Sequence, residues 1–228
     1  PGQPIAICLE LNKGPIVYAP RQYDCLVLFP VNPLTLARHR EAFAPSHAKD
    51  DPTDAALQLE RLRKHRDKRT PLKPQSPAMR TLAQLVEHRR RLVSDNVRLT
   101  KRLRSTLKHY FPHVLPWFHD KDTAIFCDFL TQWPTLKAAQ LARRTTLERF
   151  FRAHHVRYAD VIDQRIHAIT RATPLTSDAG VIVPHALLVQ ALVTQLLVTL
   201  QAIADVDTAI AQRAQRHPDF PLFNSLPG

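Results

Sequence analysis

A heptad pattern of apolar residues constrains the fold of this chain more than any other feature. Taking Leu82 as position a, apolar side chains recur through residues 82–110 with the spacing of a helix that pairs with another helix. The a positions are Leu82, Arg89, Asn96, Leu103 and Tyr110, and the d positions are Leu85, Leu92, Leu99 and Thr106. We therefore predict a long helix over residues 79–110 in a coiled-coil region, with polar a residues that favour one register and one partner.

A second long helix is predicted over residues 185–216. Its apolar face is predicted to carry Leu188, Leu192, Val198, Ala202, Val206 and Ile210. The two long helices could pair with each other or with a second copy of the chain. In the sequence between them, shorter helices are predicted over residues 123–133, 136–154 and 160–172. The apolar stretch 186–200 contains Gln190 and Gln195 and is shorter than the roughly 20 residues that cross a bilayer, so we predict no membrane partner.

The first seventy residues show a different pattern. Continuous apolar runs with β-branched residues predict buried strands over residues 4–9 and 24–29. Short helices are predicted over residues 14–23, where Pro20 would interrupt, and 33–43, and a longer helix is predicted from Asp51 or Pro52 to about residue 69. This alternation indicates part of a parallel α/β sheet. Two strands cannot form a domain alone, so we expect the rest of the sheet before Pro1.

Positive charge is concentrated in one fifty-residue segment. Residues 61–110 hold 16 Lys and Arg against 3 Asp and Glu, whereas the formal net charge of the whole chain is +12. A solvated face normally mixes charges of both signs, so this excess favours a polyanionic partner. The candidate nucleic-acid-binding residues are Arg61, Arg63, Lys64, Arg90, Arg91, Arg98, Lys101, Arg102, Arg104 and Lys108.

Three carboxylates are candidates for a metal site. Asp51 and Asp54 are three residues apart at the start of a predicted helix, so their side chains can converge on one face. Together with Glu10 at the end of the first strand, they could bind a divalent cation such as Mg²⁺, which prefers oxygen ligands. The same spacing is also typical of an ordinary acidic helix cap, and spacing alone favours the cap.

The composition does not support a nucleotide-binding loop or a cysteine-based site. The four glycines are far apart, which excludes a P-loop or a dinucleotide-binding loop within this chain, because both need clustered glycines. The three cysteines have neither metal-ligand nor disulfide spacing, which indicates reduced, buried thiols in a cytosolic protein.

Several motifs together resemble the DEDD transposases of the insertion-sequence "one-ten" family. The main one is residues 45–55, PSHAKDDPTDA, and upstream of it Glu10, the turn at residues 14–18 and the strand exit at 29–33 also resemble the family. Downstream, the resemblance continues through residues 110–112 (YFP), 144–147 (RTTL), 217–219 (HPD) and 223–228 (FNSLPG). It therefore covers nearly the whole chain.

The resemblance implies a fold and a division into domains. The expected fold class is α/β plus α, a partial RNase H or RuvC-like domain followed by a long helical coiled-coil region. It places the catalytic domain at residues 1–70, the coiled-coil domain at 71–216 and the start of a C-terminal transposase domain at 217–228. The last three members of the family's Asp-Glu-Asp-Asp tetrad fall on Glu10, Asp51 and Asp54. The first Asp is expected before Pro1 and a nucleophilic serine beyond Gly228.

The resemblance also implies a function. It predicts a Mg²⁺-dependent transposase that cleaves and exchanges DNA strands, with the element ends and target DNA as partners. A guide RNA and a second copy of the chain are further expected partners, and the bacterial cytoplasm near the nucleoid is the expected location. Two alternatives remain open at this stage: a RuvC-type structure-selective nuclease, and a non-catalytic coiled-coil protein that binds nucleic acid.

Overall fold

The computed structural model describes residues 3–12, 14–43, 51–65, 68–73 and 76–225. The chain divides into two compact units, Pro1–Ser76 and Pro77–Gly228. The first contains a small parallel sheet with helices and the second is helical, which confirms the prediction of an α/β part followed by an α part. The assignment of domains at residues 1–70, 71–216 and 217–228 stays a prediction.

Two parallel strands form the sheet of the first unit. Strand β1 (Ile5–Leu9) pairs with strand β2 (Leu26–Pro30), with Ile5 opposite Leu26 and Leu9 opposite Pro30. The connection contains helix α1 (Pro15–Tyr18) and a 3₁₀ turn (Pro20–Gln22). The break before Pro20 agrees with the predicted interruption, because proline has no N–H to continue the helical hydrogen bonds.

Two helices complete the described part of this unit. Helix α2 (Pro33–Phe43) packs against helix α3 (Asp51–Lys64), which also contacts β1. A small core of Val31, Leu36 and Leu57, with Cys8 packed beside it, holds these elements together. Helix α3 ends about five residues earlier than predicted, in a segment rich in Lys and Arg where little apolar surface is available to bury. Its packing brings Leu57 and Gln58, in the middle of α3, next to Cys8 and Glu10.

The second unit is built on two long helices, α4 (Pro77–Leu107) and α10 (Ala179–Gln215). They run antiparallel, since Arg89 pairs with Asp207 near one end and the rings of His109 and His185 lie 5.0 Å apart near the other. Of the two pairings predicted for the long helices, the structure shows the one within a single chain. The remaining helices are α5 (Val114–Trp117), α6 (Ala124–Gln132), α7 (Leu136–Leu141), α8 (Arg144–Ala153), α9 (Ala159–Arg171) and α11 (Phe220–Asn224).

The inward face of α4 follows the predicted heptad seam. Asn96, Leu103, Thr106 and Tyr110 are buried, whereas the side chain of Arg89 forms a bidentate pair with the carboxylate of Asp207 on α10. Asn96 donates from Nδ2 to the Asp122 carboxylate at 3.4 Å. The predicted pairing face is therefore confirmed, while a coiled-coil supercoil stays a prediction.

The predicted face of α10 is wrong in part. Leu188 and Val198 are 43% and 65% exposed, and the buried side chains are Val189, Leu192, Val193 and Leu196. Helix α10 has no Asp, Glu, Lys or Arg between Asp178 and Asp205, so its own sequence hardly distinguishes an inner from an outer face. Packing against α4 and α6 selects the buried face instead.

Helix α10 is longer than the apolar stretch considered in the sequence. Within the described residues it is the helix whose length and composition would allow it to cross a membrane, and core helices of soluble proteins meet the same criterion. Four of its side chains lie in the core of the second unit, packed with residues of α4 and α6. The exclusion of a membrane partner therefore stays a prediction.

Aromatic side chains fill the centre of the second unit. Phe129 is fully buried, and its ring lies 5.0–6.3 Å from five other rings, those of Trp117, Phe118, Trp133, Phe150 and Phe151.

The single helix predicted over residues 136–154 is wrong, since α7 and α8 are separated by the extended residues Ala142 and Arg143. The break allows both helices to turn apolar side chains toward this cluster.

Candidate metal site and nucleic-acid surface

The elements of the first unit bring the end of β1 to the middle of α3, at Gln58. Glu10 directly follows β1, Asp51 is the first residue of α3, and Asp54 lies one turn later. A carboxylate in the first turn of a helix is stabilised by the positive end of the helix dipole, so both aspartates have a structural role here. That role is compatible with metal binding, because a carboxylate has two oxygens.

A hydrogen bond ties Glu10 to α3. The side chain of Gln58 donates from Nε2 to Oε1 of Glu10 at 3.1 Å, and the thiol of Cys8 donates to the carbonyl oxygen of Gln58 at 3.7 Å. Gln58 is four residues after Asp54, so the two side chains share one face of the helix with Cβ atoms about 5–6 Å apart. The Glu10 carboxylate is therefore held by the side chain of the residue one helical turn after Asp54.

The three carboxylates differ in exposure. Asp54 is only 6% exposed and interacts with a neighbouring group, whereas Glu10 and Asp51 are open to solvent. Burial of a carboxylate is costly unless its charge is compensated, so a buried Asp54 indicates a fixed side chain. The candidate set thus combines one buried aspartate of α3 with an exposed aspartate of α3 and an exposed glutamate after β1.

The donor types suit a hard divalent cation. Carboxylate oxygens are the protein ligands that Mg²⁺ prefers. Among the described residues, however, no three His, Cys, Asp or Glu side chains lie close enough together to hold a metal ion. The structure brings Glu10 to the α3 face that carries Asp54, and the complete ligand set of Glu10, Asp51 and Asp54 stays a prediction.

The predicted nucleic-acid-binding residues fall into two groups. In the first group the cation already has a partner. Arg90 and Arg91 pair with Glu87 at 2.8 and 3.3 Å, Arg98 pairs with Asp95, and Lys64 pairs with Glu60. Arg61 donates to the Thr35 carbonyl oxygen at 3.1 Å. In the second group the exposed side chains have no carboxylate partner within the described part of the chain. They are Arg63, Lys101, Arg102, Arg104 and Lys108.

Comparison with known proteins relates the chain to a family of transposases. The sequence model of the DEDD transposases of IS110, described as "Transposase", matches residues 4–112, the span that contains Glu10, Asp51 and Asp54. Over these residues the chain is similar to the IS110 family of transposases. No solved structure matches the chain significantly.

Two curated relatives agree with this family. A Streptomyces coelicolor protein named as the candidate transposase of the mini-circle IS117 is 29% identical over 99% of this chain. A Sinorhizobium fredii protein named as candidate transposase y4uE is 28% identical over 70% of the chain. The chain spans about half the length of these relatives, 55% and 44%.

Gln58 is a residue of the candidate site that the sequence analysis missed. Its position four residues after Asp54 would have placed it on the carboxylate face of α3. Nothing in the sequence shows, however, that the end of β1 meets that face. The pairing of Glu10 with Gln58 depends on the packing of α3 against β1.

The cysteines of the chain differ in exposure, and the prediction that all three are buried is wrong for Cys25. All three are free thiols, with Cys127 buried, Cys8 half-buried and Cys25 exposed. Burial raises the pKa of Cys8 and raises the pKa of Cys127 to about 12. Since the thiolate is the reactive form, both should react slowly.

We expect a short iodoacetamide pulse at pH 8 to label Cys25 first. Cys127 should react at least about a hundredfold more slowly, because its raised pKa and its burial both reduce access to a thiolate. Mass spectrometry of the labelled peptides measures the three rates. In denaturant all three rates should converge, and equal labelling of Cys127 and Cys25 in the native protein would contradict the packing of α6.

Proposed function

We propose that this chain supplies the metal-binding and nucleic-acid-binding segments of a transposase that cleaves and exchanges DNA strands. The observation that carries the proposal is the Gln58–Glu10 hydrogen bond, which holds the Glu10 carboxylate against the helix face that carries Asp54. The match to the DEDD transposases over residues 4–112 supports it. In this proposal the first unit is part of a RuvC-like catalytic domain and α4 with α10 forms a coiled-coil domain.

Glu10, Asp51 and Asp54 would hold Mg²⁺. The bound cation would stabilise charge on the attacking and leaving oxygens of a phosphodiester during strand cleavage. The described residues provide the positioning. Gln58 orients Glu10 through the 3.1 Å hydrogen bond, and burial keeps the Asp54 carboxylate in one place.

The exposed cations of α4 provide the proposed nucleic-acid surface. Within the described residues, Lys101, Arg102, Arg104 and Lys108 have no carboxylate to compete with a phosphate, unlike Arg90 beside Glu87. Arg98 and Arg102 also line a groove of about 570 Å³ between α4 and α10, together with Thr194 and Gln195. The proposed occupants of this surface are DNA of the element ends and target, and a guide RNA.

Replacing Lys101 and Lys108 with Gln should make duplex DNA binding less dependent on salt. For every phosphate that the variant no longer neutralises, the slope of log K against log salt should fall by about 0.9. The matched control replaces Arg90 and Arg91 with Gln, which should change the slope less because both cations already face Glu87. Fluorescence anisotropy over a salt series gives both slopes. Equal slopes for the Lys variant and the wild type would remove this surface from the proposal.

A covalent trap tests the reaction type. Transposition through a nucleophilic serine of the complete protein leaves a protein–DNA adduct, whereas a RuvC-type nuclease hydrolyses the strand with water and leaves none. We expect an adduct on denaturing gels when the complete transposase acts on DNA of the element ends with Mg²⁺. Cleavage without an adduct would identify the nuclease, and salt-sensitive binding without any cleavage would identify a non-catalytic binder.

The proposed active form is a homo-oligomer in the bacterial cytoplasm, near the nucleoid. The outer face of α10 exposes Val183, Leu187 and Val198, at 55%, 67% and 65%. Large exposed apolar side chains on one helix favour contact with another protein surface. Light scattering during gel filtration, with Leu187→Glu as the interface variant, measures the oligomeric state, and a monomeric wild type would contradict the proposal.

A further inference from the structure

We propose that Arg61 and Arg69 form a phosphate-binding site, which holds the backbone of the nucleic-acid strand beside the candidate carboxylate site. This inference rests on the proposed function and names a substrate-positioning element for it. The ligand is a phosphodiester group of DNA or RNA. The two arginines act as positioning residues for the strand and take no part in the proposed cleavage step.

The first observation is the alignment of Arg61 with the carboxylates. Arg61 lies seven residues after Asp54 and three after Gln58, so all three side chains share one face of α3. Seven residues correspond to about 10 Å along the helix axis. That distance spans roughly two to four nucleotides of a duplex strand, which rises about 3.4 Å per nucleotide. One strand can therefore contact both places.

The second observation is that the segment after α3 is fixed to the sheet. The backbone N–H of Leu72 donates to the carbonyl oxygen of Leu28 in β2 at 2.8 Å, and Arg21 donates to the carbonyl oxygen of Lys73 at 2.9 Å. These bonds anchor the chain three residues after Arg69. Arg69 is thus held in a defined place within the same unit.

The third observation is that neither guanidinium group has a carboxylate partner among the described residues. Arg61 donates to the neutral Thr35 carbonyl oxygen, and Nε of Arg69 is buried with no hydrogen-bond partner in that part of the chain. Burial lowers the pKa of Arg61, and the adjacent positive charge of Arg69 lowers that pKa further. Two unneutralised guanidinium groups repel each other, and a buried donor without an acceptor is costly.

A bound phosphate would resolve both problems. Its oxygens would accept from the Arg69 Nε–H, and its negative charge would separate the two cations. Arginine suits this task because its planar guanidinium group binds phosphate through paired hydrogen bonds.

Binding of inorganic phosphate and of oligonucleotides by the full chain tests the inference. Calorimetry at constant ionic strength, without divalent cation, should show that Arg61→Gln and Arg69→Gln each weaken phosphate binding by at least about tenfold, the loss expected for one charged hydrogen bond. Arg157→Gln is the matched control, since Arg157 is an exposed arginine of the second unit that lies outside the candidate nucleic-acid-binding set. Unchanged phosphate affinity in Arg69→Gln, or no phosphate binding by the wild type, would overturn the inference.

Oligonucleotides with one uncharged methylphosphonate distinguish strand binding from capture of free phosphate. The methylphosphonate is moved along the strand one phosphate at a time. At one position it should weaken binding of the oligonucleotide to the wild type about tenfold, and at that position it should not weaken binding to Arg69→Gln. If no position has an effect, the assignment to a nucleic-acid strand is wrong. Arg69→Lys keeps the positive charge but lacks the paired donors of a guanidinium group, so its affinity should lie between those of the wild type and Arg69→Gln. Thermal melts of all variants distinguish misfolding from weaker binding.

Failure of this inference differs from failure of the proposed function. Asp54→Asn should abolish cleavage and leave phosphate binding intact, because Asp54 is about two turns from Arg61 on α3. A protein that cleaves DNA and binds phosphate equally well as wild type and as Arg69→Gln would refute only the phosphate site. A protein in which Arg69→Gln loses phosphate binding, but Asp54→Asn still cleaves, would refute only the metal assignment.

Discussion

Replacing Asp54 with Asn should lower Mg²⁺-dependent DNA cleavage by the complete transposase by at least about 100-fold. Loss of an outer-shell partner of a metal ligand typically reduces affinity or activity by about 10–100-fold, and Asp54 is proposed as a direct ligand. Asp54 is the buried member of the proposed set, so it is the carboxylate whose position the fold fixes most firmly. Cleavage of a labelled duplex over a Mg²⁺ series measures the effect.

Three further variants make the cleavage experiment specific. Asp51→Asn changes an exposed carboxylate and should also abolish cleavage, without the risk of disturbing a buried side chain. Gln58→Ala removes the donor to Glu10 and should reduce cleavage by about tenfold. Glu60→Gln changes a carboxylate of α3 that faces Lys64 instead, and it should cleave as the wild type does. Undiminished cleavage by Asp51→Asn and Asp54→Asn would refute the proposed metal site.

Phe129→Ala should lower the free energy of unfolding of the second unit by about 3–5 kcal/mol, the usual cost of removing a buried phenylalanine. Phe129 is fully buried, and its ring meets those of Trp117, Trp133 and Phe150, among others. The vacated volume cannot be refilled by neighbours that are themselves rigid aromatic rings. Both tryptophans of the chain lie in this cluster, so denaturant unfolding followed by tryptophan fluorescence reports on this unit.

Leu141→Ala is the matched control for the core experiment. Leu141 ends α7 with its side chain 76% exposed, so its truncation should change the unfolding free energy by less than about 0.5 kcal/mol. Equal losses of stability for Phe129→Ala and Leu141→Ala would contradict the packing of the second unit. The aromatic cluster would then not be its stabilising core.

The two long helices differ in how far their sequences determine their packing. Helix α4 alternates apolar and charged side chains with a helical period, and the face predicted from Leu103 and Tyr110 is the buried one. Helix α10 is apolar on nearly all sides through its first half, and its predicted face placed the exposed Val198 inside. Hydrophobic burial has no direction of its own, so a face is predictable only where polar residues exclude the alternatives.

The candidate metal site likewise combines features that the sequence predicts with features that depend on tertiary packing. Local rules predicted that Asp51 and Asp54 share one face of a helix, because that depends only on helical geometry. The strand before Glu10 was likewise predicted from its apolar run. The contact between Glu10 and Gln58 joins residues 48 positions apart in the sequence, and no local rule specifies it. The same holds for Arg69, whose place depends on the bond from Leu72 to β2.

By itself, the sequence determined the two strands, the two long helices, the inward face of α4, the segment of positive charge and the residues of the candidate carboxylate set. Tertiary structure alone decided which face of α10 is buried, where the helix after Leu136 breaks, and which cations are neutralised by a nearby carboxylate. It also decided that the end of β1 meets α3 at Gln58. The physical reason is range: helical period and strand alternation act over a few residues, whereas burial and charge pairing depend on which distant elements pack together.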